Sequence, residues 1–214
     1  MLDFVDDSNQ EWYDRVAKGK KALQVRRAKL AKVFRQAISD DDPVTVANAA
    51  GEYFCLLSSE KRASALLRLL GKAPAWAFWT PFLMNWSCCD DSWKYQKRVA
   101  ELLQQKSTEI SPILFYNKDA REFYDGLSDR VEVYRGCHRS RVTGLSWTID
   151  QAVANGFADG HRGIHYPDPV VAVAEINKAD ILSVFVDRQE CEVLAQPKKY
   201  KIYPYIRPRY RDVA

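Results

Sequence analysis

Three short stretches decide the reading of this chain: Val131-Glu-Val-Tyr-Arg-Gly136, Gly144-Leu-Ser-Trp-Thr148 and Gln189-Glu-Cys-Glu-Val-Leu194. Each reads as a strand or a strand edge. Side chains alternate along a strand, so Val131, Val133 and Arg135 share one face. Ser146 and Thr148 share a face in the same way, with Trp147 on the other. Glu190 and Glu192 are two apart, so period two sends both carboxylates to one side and Cys191 away. An arginine, two hydroxyls and two carboxylates on strand faces are the parts of a polar cleft suited to a phosphate-bearing sugar.

Taken in order, Tyr-Arg-Gly, Ser-x-Thr and Glu-x-Glu-Val-Leu resemble the arginine, Ser-Thr-Ser and Glu-x-Glu motifs of mono-ADP-ribosyltransferases of the cholera-toxin-like type. The run Trp147-Thr-Ile-Asp150, leading to Ala152 and Phe157-Ala158, is similar to the short helix that follows the hydroxyl motif in that family. The resemblance covers roughly the last 80 residues. Ten residues separate Arg135 from Ser146, where most relatives carry a longer helical insertion, so the compact form suggests a small bacterial or phage enzyme, a toxin or an effector.

The resemblance implies two roughly perpendicular sheets with NAD+, the substrate, in the cleft between them. It gives Glu192 the role of stabilising the sugar cation formed when nicotinamide leaves. Glu190 would face the acceptor, often an arginine of a protein. Arg135, flanked by Tyr134 and Gly136, would bind the pyrophosphate or the nicotinamide-side ribose. Ser146 would orient Glu192, and Thr148 would brace the same strand edge. Phe157, counted with the cofactor-binding residues, reads as packing in the core, and Arg162 and Tyr166 stand in a loop that can close over the cofactor or remain solvated. Without the resemblance, Glu192 reads as an exposed strand carboxylate and Arg135 as a strand arginine paired to a surface acid.

Composition narrows the class. The 214 residues are 47% hydrophobic and 28% charged, an ordinary globular balance with room for one sizeable domain or a small domain with a helical lobe. No stretch approaches the roughly 20 apolar residues of a membrane span. The opening Met-Leu-Asp-Phe-Val-Asp-Asp-Ser has neither a basic nor an apolar leader segment, so a secretory signal is not expected. Five cysteines with no metal-ligand spacing suggest free thiols and a cytoplasmic location. His138, His161 and His165 lack a zinc-type spacing, and no metal is expected. The net charge of +4 is compatible with anionic partners and selects none.

Periodicity divides the chain into a helical lobe over 1–127 and a β-rich, transferase-like region over 128–214. The whole is an α+β protein with a split sheet pair. Trp12, Val16, Leu23, Leu30, Phe34 and Ile38 form one helical stripe from Gln10 to Ile38, with lysines and arginines between them. That basic face reads as a solvated surface, or as a grip on nucleic acid. Further helices are expected over 44–57, 59–70, 75–86, 90–105, 117–127 and 152–158. The aromatic run Trp76, Phe78, Trp79, Phe82, Trp86 reads as buried core, with a base-stacking platform as the alternative. Strands are expected over 170–176, 181–186, 190–195 and 200–206, the last on an edge because of Pro204.

Three functions follow as expectations. The first is transfer of ADP-ribose from NAD+ to a macromolecule, most often a protein. The second is hydrolysis of NAD+ in the same cleft, and the third is a non-enzymatic module that binds nucleic acid or a protein.

Overall fold

The computed structural model describes residues 7–90, 92–160, 165–186 and 190–207. The chain forms two compact units, Met1–Cys89 and Asp90–Ala214. The sequence reading divides the chain at residue 127. The difference arises because Tyr116, Ala120, Phe123, Tyr124 and Leu127, all helical-region residues, pack into the core of the sheet.

The first unit is helical. Helix α1 spans Asp7–Ser39, α2 Pro43–Cys55, α3 Arg62–Leu70 and α4 Ala75–Asn85. Asp42 caps α2 by accepting from the Thr45 N–H at 3.0 Å, and Pro43 takes the first helical position, where its missing N–H costs nothing. Gly71 ends α3. Of the described part of the expected stripe on α1, Phe34 near the C-terminal end is buried and Val16, Leu30 and Ile38 are half-buried. Phe34 is 1% exposed against 44% for Leu23, and the basic face is solvated from residue 15 onward. The aromatic run lies on α4 and the turn after it. Phe78, Trp79, Phe82 and Trp86 are buried, with Phe78–Phe82 and Phe82–Trp86 stacked at 5.2 and 5.4 Å, so these four rings form core, while Trp76 is half-buried.

The second unit carries α5 (Gln96–Glu109), α6 (Lys118–Gly126), α7 (Gln151–Asp159) and six strands. The strands are β1 Arg130–His138, β2 Ser146–Thr148, β3 Pro169–Asn177, β4 Ser183–Phe185, β5 Glu192–Leu194 and β6 Lys201–Pro204. They form one antiparallel sheet in the order β4-β5-β2-β1-β3-β6, where the sequence expectation has two sheets. The expected division leaves a trace. β1 meets β2 at the single pair Tyr134↔Thr148 but runs beside β3 for its whole length, so two three-stranded halves share a one-residue seam.

One face of the sheet holds the main core. Val131, Val133 and Cys137 of β1 lie against Ile176, Ala174 and Val170 of β3, with Trp147 and Val193 continuing the layer. The edge strand β4 is held from outside, its Val184 N–H donating to the Tyr116 hydroxyl at 3.2 Å. Burial pushes the Tyr116 phenol up to about 12, so it stays protonated in that role. On the opposite face α7 rests on β1 and β3 through Ala154, Ala158 and Val171. Strand β6 pairs with β3 alone and is an edge, as Pro204 requires. Among the described residues no helix is long and apolar enough to cross a membrane.

Candidate active site

Residues directly opposite each other in an antiparallel ladder project from the same face. The register Tyr134↔Thr148, Thr148↔Glu192 and Phe185↔Glu192 therefore makes one row across β1, β2, β5 and β4. Neighbours in such a row stand about 5 Å apart. Tyr134, Thr148 and Glu192, one residue from each of the three motif stretches, are brought side by side on the face that carries α7.

Thr148 ties this row to its surroundings. Its side chain is 5% exposed. Its hydroxyl donates to the Glu190 carbonyl at 2.7 Å and accepts from the Asp150 N–H at 3.0 Å. Asp150 in turn caps α7, accepting from the Ala152 N–H at 2.7 Å. One hydroxyl thus joins the end of β2, the start of α7 and the turn that bears Glu190. Thr148→Val keeps the shape and leaves a carbonyl and an N–H without their partner. It is expected to cost about 1–3 kcal/mol in denaturant unfolding. Unchanged unfolding would mean that water replaces the hydroxyl at no cost.

The two glutamates are related differently from the sequence expectation. Glu190 precedes β5, and Cys191 adopts φ 44°, a left-handed conformation in a non-glycine residue. Period-two alternation does not run through such a residue, so it does not carry the two carboxylates to one face. Ser146 also changes partner. It stands opposite Leu194, and the residue opposite Glu192 is Thr148. Ser146 shares the face of Glu192 but lies one row away.

Arg135 departs furthest. The register Arg135↔Ala172 places it on the core face of β1, opposite to the Tyr134–Thr148–Glu192 row. Its Nε donates to the Arg141 carbonyl at 3.0 Å, and Nη1 donates to the Ser146 carbonyl. The guanidinium lies flat on Gly144, where an added Cβ would come within 2.1 Å of Nη2. Gly144 is a position whose importance sequence reasoning did not register, since nothing local marks it as the seat of a side chain nine residues earlier. Arg135 thus clasps the β1–β2 connection through backbone oxygens. Arg135→Lys keeps the charge and loses the fork, and should lower the unfolding free energy by about 1–3 kcal/mol. Equal stability of the two proteins would show that the clasp contributes nothing.

The remaining expected residues fall as follows. Gly136 lies under α7, with the Ala154 carbonyl so close that a Cβ would stand 1.7 Å from its oxygen, so its missing side chain serves the approach of the helix. Phe157 is half-buried on α7. Arg162 lies outside the described residues. Tyr134 donates its hydroxyl to Glu132, whose carboxylate, together with burial, holds the phenol above the usual tyrosine range. A groove of about 440 Å³ opens beside this pair, lined also by Gln151, Asn155, Tyr203 and Tyr205. Glu132 was legible by alternation, two residues before Tyr134, but belongs to none of the three motifs. On the core face, burial pushes the Cys137 thiol up against the opposing pull of Arg135, so the thiol stays protonated.

No protein family, curated protein or solved structure matches the chain.

Proposed function

We propose that the protein is a mono-ADP-ribosyltransferase that moves ADP-ribose from NAD+ to a macromolecular acceptor, a side chain of a protein, and releases nicotinamide. The observation that carries this reading is the row Tyr134–Thr148–Glu192, in which one residue from each motif stretch meets on adjacent strands. The narrow β1–β2 seam supports it further, because it leaves two sheet halves of the kind that could flank a ligand.

In this reading the bond from the ribose carbon to the nicotinamide nitrogen breaks, and its electron pair leaves with nicotinamide. The sugar is left as an oxocarbenium-like cation, as in glycoside cleavage. A carboxylate fixed beside it stabilises that charge most where it is greatest, in the transition state. Glu192 is held on a short strand between Thr148 and Phe185, in a position to do so. The acceptor then attacks the sugar carbon and gives up its proton, with Glu190 on the adjoining turn as the group to receive or orient it.

Incubation of the protein with NAD+ labelled in the adenylate part, in a cell lysate, tests the reading. Label on a macromolecule supports transfer. Free labelled ADP-ribose alone would make the protein an NAD+ glycohydrolase, and unchanged NAD+ would leave it a binding module.

A further inference from the structure

The connection between β1 and β2 carries a side chain the catalytic reading does not use. Arg141 ends a short 3-10 turn over Arg139–Arg141. Its guanidinium carbon lies 4.4 Å from the ring centre of Trp93 and 5.8 Å from that of Tyr166. Lys94 stands against the same indole at 5.6 Å. Among the described residues, the side chain of neither cation makes a hydrogen bond or an ion pair. The adjacent acid, Asp168, is taken by Arg139 at 2.7 Å.

A cation stacked on aromatic rings gains from the ring faces, but its N–H edge still seeks acceptors. Two cations gathered on one indole also repel each other, and with neither paired to a carboxylate among the described residues the arrangement favours an incoming anion. The backbone beneath is held, because the Arg141 carbonyl accepts from Arg135. A planar fork that rests against an indole and whose backbone is tied loses less freedom on binding than a free side chain would. Arg135 itself directs two of its donors at backbone oxygens.

We propose that Arg141, set against Trp93 and near Tyr166 with Lys94 on the same indole, is a phosphate-binding site for the diphosphate of a nucleotide ligand. That the diphosphate belongs to NAD+ rests on the transferase reading; the anion site does not.

Calorimetric titration of the full chain with inorganic pyrophosphate and with ADP-ribose tests the proposal. Both should bind, ADP-ribose more tightly, and Arg141→Gln should weaken each at least about tenfold, as loss of a charge-assisted fork does. Arg141→Lys, which keeps the charge and loses the planar fork, should lose several-fold. Arg139→Gln, whose parent side chain is already paired to Asp168, should stay within about twofold. The proposal is overturned if pyrophosphate does not bind, if Arg141→Gln and Arg141→Lys bind as the parent does, or if Arg139→Gln is equally impaired. It is also overturned if a single-stranded oligonucleotide binds through Arg141 and pyrophosphate fails to compete. Arg141-dependent pyrophosphate binding in a protein that leaves NAD+ intact would sink the transferase reading and keep this site. NAD+ turnover with pyrophosphate affinity unaffected by Arg141→Gln would do the reverse.

Discussion

Glu192→Gln is expected to reduce both transfer of ADP-ribose and release of nicotinamide by about 100-fold or more, with the fold unchanged. The substitution keeps the size and the strand position and removes only the negative charge. A factor of 100 corresponds to about 2.7 kcal/mol of transition-state stabilisation, within the range of one well-placed electrostatic group. Folding should tolerate it, because the Thr148↔Glu192 and Phe185↔Glu192 pairings are made by the backbone, which the amide leaves alone. Nicotinamide release followed under single-turnover conditions, alongside a melting curve, is the measurement. Full activity in a well-folded Glu192→Gln protein would remove the catalytic assignment and with it the main support for the row as a site.

Gly136→Ala should be the most damaging small substitution in the second unit. A methyl at this position would stand 1.7 Å from the Ala154 carbonyl oxygen and 2.7 Å from the Ala158 nitrogen, both backbone atoms of α7. No rotamer change can relieve such a clash, so the helix must lift from β1. Overpacking of this kind costs about 1–3 kcal/mol, and a backbone collision belongs at the upper end. Lifting α7 also pulls on Asp150 and, through it, on Thr148 and the turn of Glu190. Activity should therefore fall with stability, and denaturant titration with an NAD+ turnover assay on the same samples reads both. A Gly136→Ala protein as stable as its parent would mean that α7 does not press on β1 as described.

The two effects have different origins. The cost at Glu192 is chemical and should leave the unfolding midpoint in place. At Gly136 it is mechanical and should move the midpoint first. Measuring both variants by both methods separates a failed site from a failed scaffold.

The amino-acid sequence by itself determined the local structure. Asp42-Pro43 and Asn117 carry their own helix-start chemistry, and both start helices where expected. The spacing of Phe78, Phe82 and Trp86 built a buried helical stripe, and the alternation of Val131, Val133 and Arg135 set these three side chains on one face of a strand. The order of the three motif stretches was also legible, and the stretches lie on neighbouring strands. Local periodicity is a property of the residues themselves, so it survives into the fold.

Tertiary structure alone decided the pairings. Register is a long-range choice, and only it sets Thr148 rather than Ser146 across from Glu192. The left-handed Cys191 interrupts an alternation that the letters Glu-x-Glu appear to guarantee. Arg135 reads as a ligand-binding group in one dimension, because a strand arginine after a tyrosine carries no sign of which carbonyls lie within its reach. In three dimensions the β1–β2 connection folds back to offer it the Arg141 and Ser146 oxygens, with Gly144 bare enough to lie against. The same folding-back brings Arg141 to Trp93 and Tyr166, residues 48 positions before it and 25 after it in the chain, a meeting that no local pattern could announce.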